Sequence, residues 1–502
     1  MNNNLNKDKK YILALDEGTT SARAILFDKN LAVVAIAQNE FNQIYPKPGF
    51  VEQDPMEIFA AQYSAMTECV AKSGVDPKEI AAIGITNQRE TVVCWDKISG
   101  KPLYNAIVWQ CRRTADYCDE LINGGLEPLI RSKTGLKIDA YFSATKIKWL
   151  LENSPAVREK GKKGELMVGT VDSWLIYKLT NGKVHATDLT NAARTMLFNI
   201  KTLSWDDELL KLFGIDKKCL PEVKLSGGFY GEVNLMGATV PITGVAGDQQ
   251  SALLGQGCFK KGDAKNTYGT GCFLLANAGE KFIESKNGLI TTLSVALNGE
   301  PACYALEGSV FVGGAVVKWL RDELRFITDS KDSEYFAKKV KSSGGVYVVP
   351  SFQGLGAPYW DMRARGAILG LTRGGGRDEI IRAALESIAY RTDDVIKAMA
   401  RDMGEDIKTL KADGGAAQND FLMAFQADIS DINVVIPLST EATALGAAMI
   451  AGLTVGFYES KDELIKKLSV KKTYAPAMGS VEREELLKGW RAAVNAARAF
   501  KP

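Results

Sequence analysis

The stretch YILALDEGTTSARAILFD, residues 11–28, sets the frame for the whole chain. An apolar run ends on Asp16, a Gly18-Thr19-Thr20-Ser21 turn follows, and a second apolar run closes at Phe27. Short Gly/Thr/Ser turns between apolar runs read as a β-hairpin. Small residues at such a turn let backbone N–H groups and hydroxyls approach an anion, and clustered donors of this kind suit phosphate. Asp16 is a hard carboxylate of the type that holds Mg²⁺ through water. Read alone, the stretch leaves open an ordinary hairpin with a polar turn.

The theme returns in AKNTYGTGCFLLAN, which begins at Ala264. It reads as a strand, a Gly-Thr-Gly turn and a second strand. Two similar hairpins, each heading a long α/β half, point to an internal duplication. Two phosphate cradles facing each other would hold a nucleotide in the cleft between domains. The boundary falls near residues 254–262. The expected division is a disordered segment 1–10, an N-terminal domain 11–255 and a C-terminal domain 256–502.

The chain of 502 residues is 46% hydrophobic and 24% charged, an ordinary globular composition. Lysine and arginine number 62 against 60 acids, a net charge of +2, so nothing electrostatic points to nucleic acid. The eight cysteines form no CxxC pair and His185 is the single histidine, which argues against a Cys/His metal site. Scattered cysteines suit a reducing cytosol. The polar start has no signal-peptide character. The apolar stretch 442–458 is Gly-rich and reads as a buried helix and turn, not as a membrane span.

Between the hairpins, 31–41 reads as a third strand, and Asp54-Pro55 opens a helix to about residue 72. Residues 80–86 form a buried strand running into Asn87-Gln88-Arg89-Glu90. Charges at the end of an apolar strand stand where α/β sheets place ligands, the alternative being a strand-end salt bridge. Residues 104–113 repeat the pattern with Trp109, and Tyr141 begins an amphipathic helix. Residues 241–257 read as strand, Gly turn and helix, with Asp248 and Gln249 at the helix start. An N-cap is the simpler role for that Asp248. In the second half, 307–320 reads as an apolar helix start, and 408–428 as strand, loop and helix. There Asp413-Gly414-Gly415-Ala416 lets a flat base or ribose lie against backbone. His185 has no acid–base partner in reach and reads as structural. No GxxxxGK[ST], HRD or DFG occurs, which excludes P-loop and protein-kinase chemistry.

Taken together, these segments resemble the FGGY carbohydrate kinases over nearly the whole chain. Both broad signatures are present: Tyr141-x-Ser143-x-x-Lys146-Ile147-x-Trp149, and GAILGL at 366–371 leading into Glu379-Ile380-x-x-Ala383-Ala384-Leu385-Glu386. The stretches ITNQRET, YNAIVWQCRRT, AGDQQ, NTYGTG and GLGAPYWD are similar to the glycerol-phosphorylating branch of that family. The resemblance implies an α/β fold of two actin/Hsp70-like, ribonuclease-H-like domains around a deep catalytic cleft. It implies transfer of phosphate from ATP to glycerol, serving glycerol breakdown and glycerolipid supply, in a cytoplasmic homodimer or homotetramer with no nucleic acid and no membrane anchor. By matched motif, Asp248 is the general base. Arg89, Glu90, Tyr141, Asp248 and Gln249 hold the glycerol hydroxyls, and Trp109 and Phe273 pack on its carbon face. Asp16 positions Mg²⁺. Thr19, Thr20, Ser21, Arg23, Thr270, Gly314, Gly415 and Asn419 contact the nucleotide. Rival readings are another sugar kinase of the family, for a pentulose such as xylulose, and a non-catalytic actin-like ATPase.

Three departures bear on this. Lys318 stands where glycerol-phosphorylating members often have Gln. The segment 231–240, GEVNLMGATV, is shorter than the Arg-containing loop that binds fructose 1,6-bisphosphate in some bacterial members, and it carries Glu232 but no Arg or Lys. The family's phosphorylatable His is replaced in the Gly227-Gly228-Phe229-Tyr230-Gly231 segment. A bisphosphate needs Arg or clustered backbone donors, and a like charge repels it. Initial rates at subsaturating glycerol are therefore expected to be unchanged by fructose 1,6-bisphosphate. Strong inhibition abolished by a substitution within 231–240 would contradict this.

Overall fold

The computed structural model describes residues 9–500. Residues 1–8 of the segment expected to be disordered lie outside the described residues, whereas Lys10 pairs with Glu79 at 2.5 Å. The first hairpin forms as its turn chemistry dictates. Strand β1 (Tyr11–Glu17) runs antiparallel to β2 (Ser21–Asp28), which pairs antiparallel with β3 (Val33–Glu40). Helix α1 (Pro55–Ser73) is capped by the Asp54 side chain, which accepts from the Met56 N–H. Strand β4 (Ile80–Asn87) then lies parallel to β1. The 104–113 segment, read as a further strand, supplies only two strand residues, Ala106–Ile107. Helix α2 (Ser143–Asn153) begins two residues after Tyr141, which therefore stands in the preceding loop. After α3 (Val171–Leu179), strands β5 (Glu232–Leu235) and β6 (Ala238–Gly247) complete a six-stranded sheet in the order β5-β6-β4-β1-β2-β3. Helix α4 (Asp248–Gly255) follows directly from β6.

The second half repeats the plan. Strands β7 (Ala264–Tyr268) and β8 (Cys272–Gly279) form the second hairpin. With β9 (Ile290–Leu293) and β10 (Tyr304–Val310) they build an antiparallel meander. Residues 307–310 thus belong to a strand, and the expected helix, α5 (Ala315–Asp322), begins only after the Gly313-Gly314 turn. An apolar run of this length suits either element, and pairing with β8 decides for the strand. Helix α6 (Arg377–Met403), β11 (Thr409–Asp413), α7 (Asp420–Ser430), β12 (Asn433–Pro437), α8 (Ala442–Thr454), β13 (Val470–Tyr474) and α9 (Ser480–Ala499) complete the chain. The sheet order is β9-β10-β8-β7-β11-β12-β13. In each half a three-strand meander is extended by two strands parallel to the first: β3-β2-β1-β4-β6, then β10-β8-β7-β11-β12. The same five-stranded unit occurs twice, as an internal duplication requires.

The central strands of the first sheet, β1 and β4, are buried on both faces, whereas β3 at its edge exposes Val33, Val34 and Ile36. Leu13 and Leu15 of β1 pack with Ile58 and Met66 of α1 and Trp174 of α3, while Ile12 and Ala14 face Leu445, Met449 and Ile450 of α8. The two-residue period explains why β1 and β4 read as continuous apolar runs. Helix α8 comes from the second half yet lies on the first sheet, so it ties the two halves together. It is apolar all round, as a helix covered on every side must be. Its backbone crosses α4 at van der Waals range, and glycine permits the crossing. A Cβ at Gly446 would stand 1.9 Å from the Ser251 carbonyl oxygen, and one at Gly255 would stand 2.0 Å from that of Ala442.

Alanine normally stabilises a helix over glycine by about 1 kcal/mol. At Gly446 the clash reverses the sign, and Gly446→Ala is expected to cost about 3 kcal/mol or more. Gly161, also helical, has room for a Cβ, its nearest neighbour being a Leu151 methyl at 3.5 Å. Thermal unfolding of the two variants should show a lower midpoint for Gly446→Ala and an equal or higher one for Gly161→Ala.

Candidate functional site

The two hairpins meet at a small cavity of about 70 Å³ lined by Thr19, Gln88, Arg89, Glu90, Trp109, Tyr141, Asp248, Gln249 and Phe273. The structure therefore brings together all seven residues that the sequence assigned to substrate. Arg89 and Glu90 follow the end of β4, Asp248 and Gln249 open α4, and Phe273 lies on β8. Thr19 reaches the cavity from the first hairpin turn, where its hydroxyl accepts the Trp109 indole N–H at 3.0 Å. The Trp109 and Tyr141 rings stand edge to face, 5.6 Å between centroids. A wider hollow of about 460 Å³ between α6 and α9 contains none of the residues singled out from the sequence.

Asp248 is the first helical residue, and the N-cap position belongs to Gly247. Its carboxylate is about one-third exposed to the cavity and meets the Arg89 Nε at 3.1 Å. The Gln249 backbone N–H donates to the same oxygen at 2.7 Å. Arg89 is the centre of the polar arrangement. Its Nη1 donates to Glu307 at 2.7 Å and to Gln250 at 3.1 Å, and its Nη2 faces the Tyr141 hydroxyl at 3.5 Å.

Glu90 has a left-handed backbone, φ 62°, which costs a side-chain-bearing residue about 1–3 kcal/mol and must be held by its surroundings. Its carbonyl accepts from the Ser143 hydroxyl at 3.1 Å and from Lys146, and its carboxylate meets the Arg194 Nε at 2.5 Å. Lys146 also donates to the Tyr141 and Phe142 carbonyls, and burial pulls its ammonium down to about 8.

Glu307, Arg194 and Lys265 are polar groups of this region that the sequence reading passed over. Glu307 on β10 is fully buried between Arg89 and Arg194, at 2.7 and 2.8 Å. Burial alone would raise its carboxyl, but Arg194 and Arg89 hold it down at about 2. Arg194 lies over the Phe142 and Tyr141 rings, 5.2 and 5.6 Å from their centroids. Lys265 on β7 donates to the Gln249 side chain and, at 3.0 Å, to Thr267. The available signal was a lone charge in an apolar run: YALEGSVF for Glu307, NAARTMLF for Arg194.

The residues assigned to nucleotide fall in two groups. At the first hairpin, Arg23 pairs with Asp16 and, at 2.8 Å, with Glu441 just before α8. Thr20 is exposed at the turn, and the Ser21 hydroxyl accepts from Gln38 at 3.2 Å. At the second hairpin, the Thr270 carbonyl accepts the Gly313 and Ala315 N–H groups, and Gly269 accepts that of Gly314, so the turn is tied to the start of α5. Gly415 follows β11, and nothing lies within 4 Å of where its Cβ would be. Asn419 caps α7 through its side-chain oxygen at 3.0 Å and reaches Ser333 at 3.5 Å. Lys318 is exposed one turn along α5.

Burial raises the Asp16 carboxyl above its usual range in spite of Arg23, and Asp248 and Glu441 add to the rise. A divalent cation would relieve this acidic corner. Asp16 and Asp248 offer hard oxygen donors, though too few to enclose an ion without water. His185 lies apart against Trp95 and donates from Nε2 to the Val168 carbonyl at 3.0 Å, and burial holds its imidazole down at about 4.

The FGGY family of carbohydrate kinases matches both halves, its N-terminal domain over residues 11–255 and its C-terminal domain over 264–455. A glycerol kinase of Fusobacterium nucleatum subsp. nucleatum is 60% identical over 98% of this chain and 100% of its own length. One from Clostridium perfringens is 60% identical over 98% and 99%. The crystal structure of Plasmodium falciparum glycerol kinase with ADP superposes with a TM-score of 0.93 at 38% identity, covering 97% of this chain and 98% of that one. A ligand-bound xylulose kinase from Lactobacillus acidophilus gives 0.89 at 25% identity, covering 98% of both.

Proposed function

This chain belongs to the FGGY family of carbohydrate kinases, and we propose that it transfers the terminal phosphoryl group of ATP to glycerol, releasing glycerol 3-phosphate and ADP. The observation that carries the reading is the small cavity lined together by Arg89, Glu90, Tyr141, Asp248 and Gln249 and by the aromatic rings of Trp109 and Phe273. The identity of 60% to glycerol kinases over nearly the full length supports the same substrate.

Phosphoryl transfer has a loose transition state, so the protein chiefly positions the reactants and neutralises charge. In our reading, Trp109 and Phe273 take the carbon face of glycerol, and Arg89, Glu90, Tyr141 and Gln249 pair with its hydroxyls. A site that bonds each hydroxyl rejects analogues lacking one, because its own buried groups would be left unpaired. Asp248 accepts the proton of the attacking hydroxyl, and Arg89 and the Gln249 N–H fix the carboxylate's orientation. Thr19, Thr20, Ser21 and Arg23 on one hairpin and Thr270 on the other offer donors to the phosphates of ATP, with Gly314, Gly415 and Asn419 beside the nucleoside. Asp16, with Asp248 near it, would hold magnesium through water, and the ion would offset phosphate charge when bound.

Free thiols at all eight cysteines support a cytoplasmic setting, where we place the protein as a homodimer or homotetramer. Among the described residues no helix is long and apolar enough to cross a membrane. The fold does not choose between glycerol and a pentulose, since the xylulose kinase shares it. The residues lining the cavity favour the small polyol, and an actin-like ATPase without a second substrate has no use for them.

Asp248→Asn is expected to lower glycerol-dependent ADP formation by about 10²–10⁴-fold while ATP still binds. A coupled ADP assay with an ATP-binding measurement checks this. Near-normal turnover would remove Asp248 from the reaction, and a wild-type protein that forms no ADP with glycerol would overturn the function itself.

A further inference from the structure

We propose that Glu307 of the C-terminal half is a positioning residue for the glycerol site, anchoring Arg89 so that its Nε and Nη2 face Asp248 and Tyr141. The inference rests on the reading of the cavity as the glycerol site. Arg89 belongs to the loop after β4, while Glu307 is on β10 in the other half of the molecule. One oxygen of Glu307 takes Arg89 Nη1 at 2.7 Å, and the other takes Arg194 Nη2 at 2.8 Å. Arg194 in turn holds the Glu90 carboxylate at 2.5 Å. One carboxylate therefore fixes two cationic side chains, of which Arg89 borders the cavity directly and Arg194 orients the Glu90 that borders it.

Three acids surround the Arg89 guanidinium, and they compete for it. Asp248 lies at 3.1 Å and Glu90 at 3.9 Å, both from Nε, whereas Glu307 takes Nη1. With the Glu307 charge removed, the guanidinium is drawn towards Asp248, the group that must accept a proton, and away from Tyr141. Gln250 also accepts from Nη1, but as a neutral amide it cannot replace the charge. The pairing is water-excluded: the Glu307 and Arg194 side chains are fully buried and Arg89 is 2% exposed. Charged hydrogen bonds are directional and strong in such surroundings. Because the anchor comes from the opposite half, the glycerol site is complete only when the two halves stay joined at the cleft floor.

The test is steady-state kinetics of the full-length protein carrying Glu307→Gln, which keeps size and shape and removes the charge. The KM for glycerol is expected to rise and kcat to fall, each by about 10–100-fold, as for a misplaced binding group. The KM for ATP should stay within about threefold, because only Thr19 of the nucleotide groups borders this cavity and Glu307 holds Arg89 and Arg194. Glu307→Asp keeps the charge but is one methylene short of both arginines, so its glycerol KM should lie between those of wild type and Glu307→Gln. An unchanged glycerol KM, with only the folded fraction or melting midpoint lowered, would reduce Glu307 to a structural role and overturn the proposal. Equal changes in both KM values would overturn it as well. Should Glu307→Gln fail to fold, Glu307→Asp is compared with wild type directly: a raised glycerol KM at constant ATP KM supports the anchor, and no change refutes it. A wild-type protein inactive on glycerol would instead refute the assigned function, so the two failures are distinguishable.

Discussion

A buried carboxylate held between two arginines from the other half of the chain governs this molecule. Burying a charge is costly unless it is paired and hydrogen-bonded, and breaking such a pair costs about 3–5 kcal/mol. Glu307 meets Arg89 and Arg194 across the cleft floor, and Lys265 makes a parallel link to Gln249. Two helices reinforce the junction, since α8 crosses α4 with glycine at the contact. Relative motion of the halves is therefore expected to pivot about this junction, as in other hinged enzymes.

The duplicated five-stranded unit explains where the chemistry sits. Each unit begins with a hairpin, and each hairpin turn lies at the same edge of its sheet as the residues that follow β4 and β6 in the first unit and β11 in the second. Joining the units at the floor points the two turns into one cleft. Thr19 from the first and Phe273 from the second then line a single cavity. Neither half could assemble that cavity alone, and neither could satisfy the charge on Glu307.

Much of this was legible in local sequence, because turn chemistry and two-residue alternation are local. Both hairpins, the strand running to Asn87 and the helix opening at Asp248 could be read from spacing. The residues lining the cavity came from long motif matches, which composition and periodicity do not supply. What spacing could not show was non-local pairing. Residues 307–310 are apolar enough for a helix, and only the ladder with β8 makes them a strand that buries Glu307. Arg194 lies in a short polar-to-apolar stretch whose partners are about 100 residues away: Glu90 at a separation of 104 and Glu307 at 113. Tyr141 was placed in a helix because the amphipathic period extends to it, yet α2 starts at Ser143 and leaves the ring free to border the cavity.

The most direct measurement is kcat/KM of the wild-type protein for glycerol, dihydroxyacetone and D-xylulose in one ADP-coupled assay. Glycerol should give the highest value, with ADP release dependent on the acceptor. A preference for xylulose, or ADP release at the same rate with no acceptor present, would contradict glycerol as the substrate.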